Sequence, residues 1–249
     1  MHETRLGLPA RPCYDVAMVA PSPSTSQYIH PDSARLAAWK RVYDNWRVVD
    51  DVFPELARRL FDAGVTRFAE IGGGHGPIAE LLADRGVATC VVDRDPEMLA
   101  DAHRPVVQGE LRRLPLADGS CDGVAAINCL YFLEDPVVAI TEAERVLRPG
   151  GLFVASSPSR WNDPELQGID PNWGTASSFD AEDGRAIVAR VFADVAVDWW
   201  RVVAYRLPDT QAIADYLHAF NVEGWHDRAG TLRPPLTITK IGCEIWACK

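Results

Sequence analysis

The chain has 249 residues, of which 47% are hydrophobic, and its formal net charge is −10. This length and composition suffice for a packed core of one or two domains without disulfide or metal staples. The acidic balance and the lack of a Lys/Arg-rich block argue against a nucleic-acid or anionic-lipid partner and favour a small molecule.

The six cysteines and a short apolar run near the N-terminus indicate where in the cell the protein is located. The cysteine spacings match neither a metal-ligand nor a redox pattern, so no metal site is predicted. The apolar run at 16–20 is followed by Pro and Ser and is too short for a signal sequence or a membrane span. We therefore expect a reduced, cytoplasmic protein. The large excess of Arg over Lys is typical of a GC-rich bacterium.

Residues 1–62 are predicted to form an N-terminal arm followed by two lid helices. The arm has no hydrophobic periodicity, which indicates either a flexible extension or an extension that packs against the rest of the fold. The first helix begins at Ser33, and its apolar face consists of Leu36, Trp39, Tyr43 and Trp46. Pro54 interrupts this pattern, and a second apolar stripe continues to Gly64.

Residues 63–249 are predicted to form one domain in which strands and helices alternate. The strands are "VTRFAEI", "ATCVVD", "PVVQG", "CDGVAAIN" and "LFVASS", and the helices between and after them are 77–85, 96–103, a helix from 135 closing at "LRPGG", and 181–191. Alternation of this kind is typical of a doubly wound α/β fold. Two long strands, 195–207 and 236–249, end the chain, and Trp199, Trp200 and Trp246 are predicted to pack in the core.

Two segments of this domain are predicted to face a substrate. Residues 158–178 form a long stretch without periodicity, and such loops inside compact domains are usually functional. Residues 208–222 contain a helix pattern. Trp161 and Trp173 lie in the first segment, which follows the fifth strand and should overhang the edge of the sheet. Both tryptophans are therefore predicted to line the substrate pocket.

The stretch "RFAEIGGGHGPIAELLADRG" places glycines at 72, 73, 74 and 76 between a strand and a helix. A strand, a glycine-rich turn and a helix N-terminus expose backbone N–H groups, a common arrangement for binding nucleotides. The last position of a Gly-x-Gly-x-x-Gly pattern that starts at Gly72 is Pro77. The dinucleotide pattern therefore fails by one residue.

Two carboxylates flank this turn and indicate the charge of the ligand. Glu70 ends the first strand, where it would repel a diphosphate and attract a cation. Asp93 ends the second strand, where a carboxylate can accept both hydroxyls of a ribose. S-adenosylmethionine has a ribose, a positive charge and no phosphate. The alternatives are that Glu70 caps the adjacent turn, and that the domain is a nicotinamide-dependent reductase.

Over residues 66–157 the chain resembles the class I S-adenosylmethionine-dependent methyltransferases, and more narrowly their small-molecule type 11 branch. The resemblance lies in five ordered segments: "EIGGGHG", "VVDRDPEML", "GELRRLPLADGSCDGV", "NCLYFLEDP" and "RVLRPGG". It implies a Rossmann-like, seven-stranded, mostly parallel sheet with a final antiparallel pair and an N-terminal helical extension. It also implies S-adenosylmethionine as cofactor and S-adenosylhomocysteine as product.

The resemblance further implies roles for single residues. Glu70, Gly72 and Gly74 would surround the methionine part of the cofactor, and Asp93 would bind the ribose. The other cofactor-binding candidates are Gly76, Arg94, Met98, Glu110, Leu111 and Asn128. Tyr131 and His75 are the catalytic candidates at the cofactor rim, and Tyr131 also joins Trp161 and Trp173 as a pocket residue.

These features predict a methyltransferase acting on a small, apolar or aromatic metabolite in secondary metabolism. Methyl transfer from a sulfonium mainly requires alignment and exclusion of water, although an oxygen acceptor usually needs a base. The spacing of His and Asp residues identifies no such base. The alternative is a cyclase or binding protein that retains the cofactor structurally. A monomer and a homodimer are both compatible with the sequence.

Overall fold

The computed structural model describes residues 33–102 and 105–249. Its helices are α1 (Ser33–Trp46), α2 (Phe53–Asp62), α3 (Pro77–Ala83), α4 (Pro96–Ala100), α5 (Pro136–Val146), α6 (Ala181–Val188), α7 (Thr210–Ala219) and α8 (Trp225–Ala229). Its strands are β1 (Arg67–Ile71), β2 (Ala88–Asp93), β3 (Val106–Gln108), β4 (Cys121–Ile127), β5 (Leu147–Pro158), β6 (Asp194–Leu207) and β7 (Leu236–Cys248). Within these residues, no helix is both long and apolar enough to cross a bilayer.

The seven strands form one sheet in the order β3-β2-β1-β4-β5-β7-β6. β7 is antiparallel to both of its neighbours, and the other pairs are parallel. The predicted seven-stranded, mostly parallel α/β fold is therefore confirmed. The carboxyl ends of β1, β2, β4 and β5 meet at one edge of the sheet, which is where ligands bind in folds of this kind.

Helices cover both faces of the sheet. On one face, α2 and α3 pack with the strands through Leu56, Leu60, Ile78, Leu82 and Phe68. On the other face, α5 and α6 do so through Ile140, Ala143, Val146, Val188 and Phe153. A third apolar cluster joins α1 and α7 to the far ends of β6 and β7 and includes Val42, Tyr205, Ile213, Tyr216 and Ile238. The two N-terminal helices therefore differ, because α2 covers the sheet and α1 packs near α7.

β6 and β7 continue as a two-stranded ribbon past the end of β5. The pairing of β5 with β7 ends at Pro158 and Gly242, whereas β6 and β7 remain paired as far as Leu207 and Leu236. At about 3.3 Å per residue, β7 extends roughly 20 Å beyond the last β5 pair. This extension, called the ribbon below, projects beyond the functional edge of the sheet.

The segment after β5 is attached to the ribbon. The Ser159 N–H donates to the Ile241 carbonyl at 2.9 Å, and the Asp163 N–H donates to the Thr239 carbonyl at 3.2 Å. The Asn162 side-chain oxygen accepts from the Ile241 N–H at 2.8 Å. The first part of the predicted loop 158–178 is therefore fixed to β7.

Two sequence-based expectations differ from the structure. The helix predicted to close at "LRPGG" does end there, at Val146, but the strand predicted as "LFVASS" begins earlier, at Leu147, which pairs with Cys121 before a register shift in β4. Trp199 was predicted to pack in the core, but it is 52% exposed, whereas Trp200 and Trp246 are buried. Neighbouring residues of a strand face opposite sides, so Trp199 and Trp200 cannot share the same environment.

Asp122 links three strands at the edge of the sheet opposite the functional one. Its buried carboxylate accepts from the backbone N–H groups of Thr66 and Arg67 at 3.1 Å and pairs with the Arg148 guanidinium at 2.5 Å. Burial alone would raise the pKa of Asp122, but the bonds from Thr66, Arg148 and Arg67 outweigh it and hold the pKa below its usual range. The ionised carboxylate therefore stabilises the fold.

We expect Asp122→Asn to lower the free energy of unfolding at pH 7 by about 1–3 kcal/mol, the range for hydrogen bonds to a charged group. A carboxyl whose pKa is lowered on folding stabilises above its unfolded pKa, and this contribution is lost as the pH falls below about 4. Urea unfolding of both proteins at pH 7 and pH 3 should show the difference shrinking at low pH. An equal difference at both pH values would contradict this account.

Candidate functional site

The predicted cofactor loop has a backbone that requires glycine. Gly72, Gly74 and Gly76 have φ angles of 61°, 54° and 73°, a left-handed conformation that glycine adopts without steric cost. A Cβ atom on Gly72 would lie 2.8 Å from the Cys129 sulfur, and one on Gly76 would lie 2.3 Å from a Val91 methyl. The loop therefore packs closely on the ends of β2 and β4.

Asp93 is joined to the glycine loop directly. One carboxylate oxygen accepts from the Gly74 N–H at 3.0 Å, and the other accepts from the Asp95 N–H at 3.0 Å. An ionised carboxylate has about four acceptor sites, so each oxygen keeps one for a further donor. These bonds fix the side chain while leaving it able to accept two ribose hydroxyls.

Glu70 lies beneath the loop. Its side chain is 1% exposed, and one oxygen accepts from the Ala79 N–H in the first turn of α3 at 2.8 Å. Burial raises the pKa of Glu70 to about 8, although the N–H groups of Ala79 and Ile78 oppose this shift. The carboxyl group therefore caps α3, which is the alternative role considered from the sequence. Contact between Glu70 and the cofactor remains a prediction.

The other predicted cofactor residues are distributed unevenly around the loop. A Cβ atom on Gly74 would lie 2.8 Å from the Met98 terminal methyl, and one on Gly72 would lie 3.4 Å from a Leu111 methyl. The structure thus brings Met98 and Leu111 to the loop. The side chains of Arg94 and Glu110 are exposed at the surface.

Asn128 follows β4 in a strained conformation. Its φ angle is 53°, which is uncommon for a residue other than glycine and is often found at functional sites. Its backbone N–H donates to the Ser156 carbonyl at 3.1 Å, and its side-chain oxygen accepts from the Ser156 hydroxyl at 3.3 Å. Its Nδ2 is buried and has no hydrogen-bond partner within the described residues.

This edge of the sheet fits S-adenosylmethionine. The glycine loop packs tightly on the ends of the strands, the Asp93 carboxylate has free acceptor sites, and the Asn128 amide has an unused donor. A nucleoside that carries an amino-acid tail has hydroxyls and a carboxylate that complement these groups.

A cavity of about 310 Å³ opens beside the cofactor edge. Its lining comes from the end of β4, the segment 158–180 and the end of α7; the aromatic members are Tyr131, Trp173 and Phe220, and the polar members include Ser159, Arg160, Asn162, Asp163, Asp170 and Asp180. Trp173 thus lines a cavity as predicted. Trp161 does not; it is 45% exposed and packs edge-on against the Trp173 ring at 4.9 Å.

The structure separates the two catalytic candidates. Tyr131 lines the cavity and is buried, and the Ser178 hydroxyl donates to its carbonyl at 3.2 Å. Burial raises the pKa of Tyr131 well above its usual range, so the phenol is protonated at neutral pH and can donate a hydrogen bond. His75 is exposed on the glycine loop and is not among the residues that line the cavity.

A buried ion pair behind the cavity was not predicted from the sequence. Lys240 is fully buried, its ammonium lies 2.7 Å from an Asp163 oxygen, and the Tyr216 hydroxyl donates to the same carboxylate at 2.9 Å. Burial lowers the pKa of Lys240 to about 8 and raises that of Asp163, while each charge opposes the shift of the other. The sequence signal that could have predicted this burial is the alternation of faces along β7, because Lys240 lies on the same face as Ile238 and Gly242, which are buried.

Comparisons with known proteins agree with this geometry. A family model described as a methyltransferase domain matches residues 69–155. A probable S-adenosylmethionine-dependent methyltransferase from Mycolicibacterium smegmatis is 33% identical over 151 residues, which cover 59% of this chain and 55% of that protein. The chain spans about half the length of the curated relatives that it matches.

Solved structures share the fold at low sequence identity. The YcgJ protein of Bacillus subtilis has a TM-score of 0.57 at 18% identity, covering 79% of this chain and 97% of that one. The [4+2]-cyclase SpnF has a TM-score of 0.52 at 18% identity, covering 77% of this chain and 80% of that one. Residues 69–155 thus match the methyltransferase domain family, and the sheet that contains them has the same fold as these solved structures.

Proposed function

We propose that this protein transfers the methyl group of S-adenosylmethionine to a small metabolite with apolar or aromatic character, in bacterial secondary metabolism. The observation that carries the proposal is the left-handed glycine loop bonded to Asp93, within a segment that matches the methyltransferase domain. The adjoining cavity, with three aromatic rings in its lining, supports a small-molecule acceptor. The acidic net charge of −10 favours such an acceptor over a nucleic acid.

The cofactor's sulfonium supplies an activated methyl group. The contribution of the chain is therefore to hold and align the two reactants and to exclude water. Asp93 and Asn128 are suited to orient the cofactor, since both are fixed by hydrogen bonds and retain unused capacity. The segment 158–180 covers the acceptor side, where Tyr131 can donate a hydrogen bond.

We expect Asp93→Ala to weaken binding of S-adenosylmethionine and S-adenosylhomocysteine by about 1–3 kcal/mol, because hydrogen bonds to a charged group are lost. Isothermal titration calorimetry with both ligands, and with NAD in parallel, measures this effect. Asp84→Ala is the matched control, since Asp84 is an exposed acid at the end of α3. Tight binding of NAD without binding of either adenosyl ligand would refute the proposal.

Turnover separates methyl transfer from the alternative, in which a cyclase or binding protein keeps the cofactor structurally. Incubation with methyl-labelled S-adenosylmethionine and a panel of small phenols, amines and bacterial extracts should yield S-adenosylhomocysteine and a labelled product. Binding of the cofactor with no conversion across the panel would favour the alternative.

A further inference from the structure

Five residues that line the cavity beside the cofactor edge carry a buried polar atom without a hydrogen-bond partner among residues 33–102 and 105–249. Two of these atoms belong to ion pairs, since Arg160 Nε lies 3.5 Å from Glu182 and Asp163 Oδ1 lies 2.7 Å from the Lys240 ammonium. The other three are the Tyr131 hydroxyl, the Asn162 Nδ2 and the Trp173 Nε1. Buried donors without partners are uncommon in folded proteins because leaving them unpaired costs free energy. Three of them around one cavity indicate a ligand that pairs with them.

The chemistry and the surroundings of these three groups show that each can donate a hydrogen bond. The Asn162 side-chain oxygen accepts from the Ile241 N–H at 2.8 Å, so the NH₂ group is the end of the amide that has no partner. An indole N–H is a donor only. Burial raises the pKa of Tyr131, which keeps its hydroxyl protonated. The matching group on a ligand is therefore a hydrogen-bond acceptor.

The charged residues that line the cavity argue against a negatively charged ligand. The Arg160 guanidinium lies 2.8 Å from Asp180, and Asp163 is paired with Lys240 at 2.7 Å. Asp170 also lines the cavity, and its carboxylate accepts from the Asn172 N–H at 2.9 Å. The carboxylates of the wall thus exceed its cations, and a carboxylate or phosphate on the ligand would be repelled.

We infer that this cavity recognises an uncharged oxygen atom that accepts hydrogen bonds, such as that of a ketone, ester or amide carbonyl. This oxygen belongs to the molecule that receives the methyl group. The inference rests on the proposed function, because it takes the cavity as the site of the methyl acceptor. These donors are buried and unpaired among the described residues, so a substrate that carries an acceptor beside them would supply the missing hydrogen bonds. A purely apolar molecule of the same size would leave all three donors unpaired.

Three para-substituted phenols test this inference by binding alone. 4-Hydroxyacetophenone carries a neutral carbonyl, 4-ethylphenol has nearly the same shape without it, and 4-hydroxybenzoate carries a carboxylate. Dissociation constants are measured with saturating S-adenosylhomocysteine, by following the indole ¹H–¹⁵N resonances of the eight tryptophans. We expect the ketone to bind about tenfold more tightly than either of the other two, and the Trp173 indole resonance to shift with it.

Two variants remove one donor each with little change of shape. Trp173→Phe and Asn162→Asp should each reduce the preference for the ketone over 4-ethylphenol to about threefold or less. Trp199→Phe is the matched control, since Trp199 is an exposed tryptophan of β6 that is not among the cavity-lining residues. Thermal unfolding checks that each variant is folded. If Trp173→Phe does not fold, Asn162→Asp still tests the inference.

The inference is overturned if the ketone binds no more tightly than 4-ethylphenol, if the carboxylate binds best, if no probe binds, or if Trp199→Phe has the same effect as Trp173→Phe. Its failure is distinct from failure of the proposed function. Retained binding and turnover of S-adenosylmethionine would leave the methyltransferase proposal intact while removing carbonyl recognition. Loss of cofactor binding in the unmodified protein would remove both.

Discussion

Replacing Gly76 with alanine is expected to lower the free energy of unfolding by about 2–5 kcal/mol and to abolish binding of S-adenosylmethionine. The φ angle of Gly76 is 73°, and its Cβ atom would lie 2.3 Å from a methyl of the buried Val91. A left-handed conformation costs a residue with a Cβ about 1–2 kcal/mol, and overpacking a core costs typically 1–3 kcal/mol more. Relief of the clash must move the loop or β2, which ends at Asp93.

Gly86→Ala is the matched control for this prediction. Gly86 also has a positive φ angle, 83°, but nothing lies within 4 Å of the position of its Cβ. The control therefore has the conformational strain without the clash, and it should cost only about 1–2 kcal/mol and leave cofactor affinity unchanged. Urea unfolding and calorimetry measure both quantities. Equal losses in the two variants would contradict a special role for the contact with Val91.

Replacing Lys240 with methionine is expected to lower the free energy of unfolding by about 3–5 kcal/mol. Lys240 is fully buried, and its ammonium lies 3.9 Å from the centre of the Phe220 ring as well as 2.7 Å from Asp163. The substitution leaves the Asp163 carboxylate buried without its counter-charge. Removal of one partner of a buried pair usually costs this amount, although replacing both partners is often nearly neutral.

A double-mutant cycle distinguishes the ion pair from simple packing. We expect Asp163→Asn together with Lys240→Met to cost clearly less than the sum of the two single substitutions. Lys40→Met is the matched control, because Lys40 pairs with Asp44 at the same 2.7 Å but both side chains are exposed; its effect should stay below about 0.5 kcal/mol. Urea unfolding provides all four values. Additive effects within error would contradict the coupling.

The fold was largely predictable because its signals are local. Alternating periods of two and 3.6 residues gave the strands and helices in order, and the glycines after β1 marked the cofactor loop. The errors have physical causes. The strand β5 starts five residues before "LFVASS" because Leu147 already pairs with Cys121, which is a tertiary contact that no local pattern expresses.

Burial was harder to predict than secondary structure. Trp199 and Trp200 are equally apolar in the sequence, yet Trp199 is 52% exposed and Trp200 is 7% exposed. Which face of an outer strand is covered depends on the helices that pack there, and residue type alone does not decide it. The same reason explains Lys240, whose position on a buried face was visible only through alternation.

The cofactor side of the site was more predictable than the acceptor side. The residues around the glycine loop lie close to one another in the sequence, so Asp93, Met98 and Leu111 could be placed by order alone. The cavity instead combines Tyr131, the segment 158–180 and the end of α7, which are far apart along the chain. Glu70 shows a third limit, because its carboxyl group caps α3 and the sequence does not distinguish this role from contact with the cofactor.

Because of the ribbon, the two segments that line the cavity for the methyl acceptor, 159–165 and 172–178, differ in how well they tolerate substitutions. The strand β7 runs without interruption from the part of the sheet where it pairs with β5 to the segment that holds Asn162 and Asp163, so successive positions of one strand serve the fold and the cavity. Substitutions along 159–165 that remove a hydrogen bond to β7 therefore risk unfolding the protein before they alter its choice of methyl acceptor. Residues 172–178 border the same cavity from a turn-rich segment. Natural drift and directed evolution of acceptor range should concentrate there.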